Sequence, residues 1–285
     1  MYRNKLLFLL LIVNLSQSQS QLPLGYHLKV GVPKALEVLK NEGGATRIVG
    51  GSPVGSADSI PYQAGILIRL TTGWTSLCGG ALVSNTRVLT AAHCWWDGTS
   101  QAELFTVVLG SLTIFTGGTR IETRDVSAHP SWSPNTLLND IAIVRISPVT
   151  ISNTIQVIPL PTMADVNSNF VGHTGAVAGF GKTTDAQNSF PTSTALHQIS
   201  VQIITNAACQ TGFTVNIHGS HLCTSGQGNI GTCEGDSGGP LTVVLNNQRT
   251  LIGIVSFGPG DGCQAGLPSV YTRVTAFLSW IQSVL

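Results

Sequence analysis

The sequence predicts an all-β protein, a barrel or a sandwich, finished by one C-terminal helix. Three observations carry this expectation. Apolar runs at 64–70, 106–109, 140–146, 176–178, 199–203, 241–245, 251–256 and 270–274 are short and rich in β-branched residues, the side chains that suit a pleated, half-buried surface. Gly, Pro, Asn and Ser punctuate them, and Gly alone counts 32 of 285 residues, above the usual share of about 7%, so turns are frequent and strands brief. Helical periodicity is clear only at the end of the chain, where Val274, Phe277, Leu278, Ile281 and Leu285 fall on one face. At this length one large β domain or two smaller ones would fit.

Composition excludes several classes. Lysine plus arginine number 14 and aspartate plus glutamate 13, a formal net charge of +1. No basic surface for a polyanion is implied, which argues against nucleic acid as a partner. Hydrophobic residues make up 42%, too many for a disordered chain of so little net charge. The one strong apolar run, 6–13, is about half of the ~20 residues a membrane-crossing helix needs, so no membrane partner is expected. It follows Arg3 and Lys5 and precedes Ser16-Gln17-Ser18-Gln19-Ser20, the pattern of a secretory signal peptide, read as 1–18 with its end between 18 and 20. Secretion places the six cysteines in oxidising surroundings, where an even count favours disulfides. No C-x-x-C or H-x-x-x-H pair occurs, so no metal site is expected.

Charge divides the chain near residue 47. Between 21 and 47 lie Lys29, Lys34, Lys40 and Arg47 against Glu37 and Glu42. Beyond Arg47 the only lysine is Lys182, and eight basic residues face eleven acidic ones. Residues 19–47 therefore read as a segment apart, able to form a short helix over 30–40 but without a core of its own.

Gly235-Asp236-Ser237-Gly238-Gly239-Pro240 is the stretch richest in chemistry. A serine between glycines can sit on a sharp turn where the N–H groups of Gly235 and Ser237 point into one space and stabilise an oxyanion. The serine oxygen can attack a carbonyl held there, given a base beside it, because a hydroxyl is a weak nucleophile at neutral pH. His93, in Leu89-Thr90-Ala91-Ala92-His93-Cys94, is the candidate base. Such a base needs an anion to fix its tautomer and stabilise its protonated form. Asp140, ahead of the apolar run 141–144, is a carboxylate at the edge of a buried strand, where it needs a partner. Each residue alone has an ordinary structural explanation; their conjunction, in the order His, Asp, Ser, points to nucleophilic catalysis.

In these motifs the chain resembles the chymotrypsin/trypsin family of secreted serine endopeptidases. The resemblance covers Ile48 to Leu285 and runs through Arg47-Ile48-Val49-Gly50-Gly51, Cys78-Gly79-Gly80, Thr90-Ala91-Ala92-His93-Cys94, Asp140-Ile141-Ala142, the Gly235 to Pro240 stretch and Val270-Tyr271-Thr272-Arg273-Val274. It implies two packed six-stranded antiparallel β-barrels with a C-terminal α-helix, residues 48–285 forming a protease domain with its active site between the two halves. Carried over residue by residue, it makes Ser237 the nucleophile, His93 the general base and then acid, Asp140 its orienter, and the N–H groups of Gly235 and Ser237 the oxyanion hole. It pairs Cys78 with Cys94, Cys209 with Cys223, and Cys233 with Cys263. It also makes 19–47 an activation pro-segment, cut after Arg47, with the freed α-amino group of Ile48 pairing with Asp236. No cysteine precedes Ile48, so the released segment would not stay tethered.

The same resemblance places Gly231, six residues before Ser237, at the base of the primary specificity pocket, Ser269 on the opposite wall and Gly258 at the mouth. Trypsin-like members carry a carboxylate at the base, because a buried Arg or Lys needs a paired charge. Gly231 supplies none and Ser269 is neutral. A deep, open, uncharged pocket favours cleavage after aromatic or large aliphatic residues, a chymotrypsin-like preference. Broad collagenolytic or elastase-like cleavage is the alternative, and a catalytically silent binding homologue the remote one. Ser256 and Gly258 would hold the substrate backbone as an added antiparallel strand. Glu234 is expected at the entrance, where it disfavours acidic substrates, and Phe180 and Phe257 are expected to give an aromatic wall. Asp261 reads as a solvated turn acid, and His27, His129, His173, His197, His218 and His221 as structural or exposed. No cofactor is expected. The expected partners are protein or peptide substrates, an activating trypsin-like protease and protein protease inhibitors, with the chain a secreted monomer suited to a digestive lumen.

Overall fold

A computed structural model describes residues 20–21, 24–41, 52–182, 185 and 195–285. Residues 1–18 and the Arg47-Ile48 junction lie outside these. The chain begins with β1 (Ser20–Gln21), a π-helical turn His27–Gly31 and α1 (Val32–Asn41). The first half continues through β2 (Ser52–Pro53), β3 (Gln63–Leu70), β4 (Thr75–Ser84), β5 (Arg87–Thr90), β6 (Ala102–Leu109), β7 (Thr119–Thr123), β8 (Val126–Ala128) and β9 (Ala142–Arg145). The second half holds β10 (Thr174–Gly179), β11 (His197–Ile204), α2 (Asn206–Gln210), β12 (His221–Thr224), β13 (Pro240–Leu245), β14 (Gln248–Pro259), β15 (Ser269–Arg273) and α3 (Leu278–Val284).

Two antiparallel sheets result. In the second half β10, β11, β12, β15, β14 and β13 pair in a ring that closes back on β10, a six-stranded barrel. β2 is added on β11 and β1 on β14. In the first half the order β7-β6-β3-β4-β5-β9-β8 curls as a half-barrel. Strand β11 shows why such segments become strands: its residues alternate buried and exposed along most of its length, the period of two that lets one face meet a core. Strand β4 is instead buried at all its central positions, because α1, the Ser237–Gly239 turn and β13 also pack against it.

The cores follow the same division. Val177, Ile199, Val201, Leu222, Leu241 and Tyr271 fill the closed barrel. The larger core gathers Ile66, Leu82, Leu89 and Phe105 of the half-barrel with Ala35 and Val38 of α1 and with Phe277, Leu278 and Ile281 near the C-terminus. The last helix thus ties the second half of the chain to the core of the first. Disulfides join Cys78 to Cys94, Cys209 to Cys223 and Cys233 to Cys263. The first spans 16 residues, a loop size that contributes about 3 kcal/mol by restricting the unfolded chain, and it pins the turn that carries His93.

Candidate active site

Sheet register brings the first two candidates together. Thr90, the last residue of β5, sits opposite Ala142, the first of β9. His93, just beyond β5, and Asp140, just before β9, therefore face each other although 47 residues separate them. Both are fully buried. His93 Nδ1 lies 2.8 Å from Asp140 Oδ2, and the His93 backbone N–H donates to Oδ1 at 2.9 Å. Two further bonds hold the acid. The Ser256 hydroxyl donates to Oδ2 at 2.6 Å, and the Thr272 hydroxyl donates to the Asp140 carbonyl at 2.7 Å. Ser256 can do this because β14 bulges: Val255 pairs with Tyr271 and Phe257 with Val270, leaving Ser256 between them.

Ser237 is fixed through its backbone. Its carbonyl accepts from Gly79 N–H at 2.7 Å, and Gly238 N–H donates to Val255 at 2.9 Å. Gly238 has φ +80°, and a Cβ there would meet Thr90 Oγ1 at 2.2 Å, so no other residue fits the turn. Gly235 has φ +97°. Among the described residues neither the Gly235 nor the Ser237 N–H meets an acceptor, leaving two donors beside the serine. His93 Nε2 is buried without a hydrogen-bond partner among the described residues.

The family model described as Trypsin matches residues 48–281. The chain belongs to the trypsin family. It is 35% identical over 224 residues to Collagenase of Hypoderma lineatum, covering 78% of this chain and 81% of that protein. It is 38% identical over 230 residues to Brachyurin of Leptuca pugilator, covering 79% and 93%. A solved HL collagenase structure matches with a TM-score of 0.75 at 33% identity, covering 83% of this chain and 98% of that one.

A cavity of about 340 Å³ opens next to Ser237, walled on the trypsin-family side by Thr232, Cys233, Glu234 and the 255–259 strand edge. Gly231 and Ser269 do not line it. They meet each other behind Thr232, whose N–H donates to Ser269 Oγ at 3.3 Å; a Cβ on Gly231 would lie 3.1 Å from that oxygen. Gly258 has open space where a side chain would be. Glu234 lines the cavity but is ion-paired with Lys182, so its charge at the entrance is compensated rather than free to repel acidic substrates. Phe257 is buried edge-on against Phe213 and His221.

Four residues at this site were not among the candidates drawn from the sequence: Tyr26, His27, Lys34 and Asp97. The Tyr26 ring stands edge-on to the His93 imidazole, centroids 4.7 Å apart. His27 is structural: it is buried, its backbone N–H donates to Asp97 Oδ2 at 2.8 Å, and its Nδ1 lies 2.9 Å from Ser76 Oγ. Asp97 is fully buried, and its other oxygen accepts from Thr99 and Ser100. An acid four residues after His93 was the available clue to it.

Asp236 places its carboxylate on the N–H groups of Gly181 and Cys233, 2.8 and 2.9 Å away. Burial nevertheless pushes its pKa up from 3.8 to about 6, while those bonds and the charge of Lys34 pull the other way. Burial lowers His27 from 6.5 to about 4, opposed by the charge of Asp97. The two act oppositely on stability. Asp236 contributes stability at acid pH that is lost as pH rises through about 6, whereas the contribution of His27 is lost as pH falls from 6.5 through about 4. Each amounts to about 3 kcal/mol, so they offset each other in the full-length chain. Relative to the unsubstituted chain, Asp236→Asn, which leaves the His27 contribution unopposed, should make stability rise with pH, and His27→Gln, which leaves that of Asp236 unopposed, should make it fall. Urea titrations at pH 4, 5 and 6.5, read as differences from the unsubstituted chain, check this; parallel curves would refute it.

Proposed function

We propose that the chain is a secreted serine endopeptidase, made as a precursor, activated by cleavage after Arg47, and acting after large apolar or aromatic residues through an acyl-enzyme. The observation that carries this reading is the buried His93–Asp140 pair, oriented by two bonds at 2.8 and 2.9 Å, next to a serine turn whose Gly235 and Ser237 N–H groups meet no acceptor among the described residues. Ser237 Oγ attacks the carbonyl carbon of the scissile bond as its proton passes to His93 Nε2. The resulting oxyanion accepts from the Gly235 and Ser237 N–H groups. Collapse of this intermediate breaks the C–N bond, and the imidazolium gives its proton to the leaving amine. Water then repeats the sequence on the ester, releasing the acid and restoring Ser237. Asp140 holds Nδ1 protonated, so that Nε2 is free to accept. The signal-peptide pattern in 1–18 and the three disulfides support secretion.

The lack of an acid at Gly231 and Ser269, which pack just behind the Thr232 wall of the cavity, and the open space at Gly258 support a preference for large apolar side chains. A second reading, broad collagenolytic cleavage, is favoured by likeness to proteins named Collagenase and Brachyurin. A peptide library varied at the residue before the cut separates the two: one dominant aromatic or leucine class against comparable rates for apolar, polar and basic residues. Gly231→Asp should move preference toward Arg and Lys by on the order of 100-fold. Strong cleavage after Arg or Lys by the unsubstituted enzyme would sink the pocket assignment.

A further inference from the structure

Residues 20–41 precede the matched family region, 48–281, and lie across the site just described. β1 pairs antiparallel with β14, Gln21 opposite Gly258 and Ser20 opposite Pro259. This is the edge proposed to receive substrate, with the polarity of an added substrate strand. Leu24, Tyr26, Lys29 and Val30 then wall the cavity beside Ser237. Tyr26 is 6% exposed, and its hydroxyl donates to the Leu77 carbonyl at 2.7 Å. Tyr26 lines the same cavity as Ser237. Beyond the catalytic pair, Gly25 and His27 donate to Asp97 through their N–H groups. Lys34 is 3% exposed, lies against Gly235, and interacts through its charge with Asp236.

We propose that the cleft is a binding site for residues 20–41, and that this segment is the enzyme's own peptide inhibitor, retained non-covalently after the chain is cut at Arg47. The proposal rests on the reading of Ser237 and His93 as nucleophile and base. Inhibition follows from geometry. With Tyr26 against the imidazole and His93 Nε2 left without a partner, the proton route from Ser237 is interrupted and no carbonyl can enter. Persistence follows from placement. The buried contacts of the segment among the described residues, Tyr26, Val32, Ala35 and Val38 included, precede Asn41, so a cut after Arg47 removes none of these. All six cysteines lie downstream, so nothing covalent holds the segment either. Its departure is a dissociation, and activity depends on dilution or on a competing substrate.

The test uses the full secreted chain, cut by an arginine-specific protease and checked by mass spectrometry for an intact 20–47 peptide. The nicked protein should elute with that peptide on gel filtration, and its turnover per molecule should rise on dilution. A synthetic 20–47 peptide added back should inhibit competitively, and Tyr26→Ala in the peptide should weaken it on the order of 100-fold. Gly31→Val in the full chain should abolish the dilution effect, because a Cβ at Gly31 would fall 1.8 Å from Ser76 Oγ. A nicked enzyme fully active at all concentrations, a peptide without effect, or a peptide cleaved within 20–41 would each overturn the proposal while leaving the protease reading intact. If neither the nicked protein nor its Gly31→Val form turns over peptides or reacts with a serine-directed phosphonate, the protease reading fails instead. Co-elution then still decides whether the segment binds.

Discussion

Ser237→Ala should reduce peptide hydrolysis by the activated enzyme on the order of 10⁶-fold, the scale on which serine proteases lose turnover when their nucleophile is removed. The remaining rate should still exceed that of water, because the Gly235 and Ser237 N–H groups belong to the backbone and survive the substitution. Structure should survive as well. The bonds that fix residue 237 are made by its carbonyl to Gly79 and by its neighbour Gly238 to Val255, none of which needs the hydroxyl. Thermal unfolding should therefore shift by less than about 1 kcal/mol in equivalent stability. Active-site titration with a phosphonylating reagent gives the complementary readout: one equivalent bound by the unsubstituted enzyme and none by the variant. Substantial turnover in Ser237→Ala would mean that another group attacks the carbonyl.

Different parts of this molecule were legible in the sequence to different degrees, for physical reasons. The strands were legible because burial on one face writes a period of two into residues such as Ile199, Val201 and Ile203. The C-terminal face was legible because Val274, Phe277, Leu278 and Ile281 are all buried in one core. Its first four residues nevertheless form a 3-10 turn before α3 begins, since i,i+3 spacing does not distinguish the two. The meeting of His93 and Asp140 was not written in either neighbourhood. It depends on Thr90 pairing with Ala142, a long-range register that resemblance to a family supplied and local pattern could not. Whether a sheet closes is equally non-local: the second-half strands form a ring and the first-half strands a curl, with similar β-branched runs in both.

The seat of residues 20–41 was least legible, and α1 shows why. The helix buries its smaller apolar residues, Val32, Ala35 and Val38, together with Lys34, while Leu36 and Leu39 face outward. Hydrophobicity would choose the leucine face as the one to bury. The docked face is chosen instead by close fit: Gly31 against Ser76, and Lys34 against Gly235 beside the acid of Asp236. Such shape matching leaves no periodic trace.

Asp140→Asn should cost on the order of 10⁴-fold in turnover, the size seen when a family relative has the corresponding carboxylate amidated. Three donors point at the Asp140 carboxylate: the His93 backbone N–H at Oδ1, and His93 Nδ1 with the Ser256 hydroxyl at Oδ2. An amide keeps only one acceptor. If its NH₂ takes the Oδ2 position, His93 Nδ1 must become an acceptor. Nε2 then carries the proton and cannot receive one from Ser237. If the NH₂ takes the Oδ1 position, it opposes the His93 N–H in a fully buried site, at about 1–3 kcal/mol of stability. The first orientation predicts a folded, inactive enzyme, and the second a destabilised one. Ser256→Ala separates orientation from charge, because it removes one donor to Oδ2 and leaves the anion in place; its loss should stay near tenfold or less. Rates on a chromogenic peptide, with melting temperatures alongside, measure all three effects. An Asp140→Asn enzyme within tenfold of the unsubstituted rate would remove Asp140 from the mechanism, whatever its distance from His93.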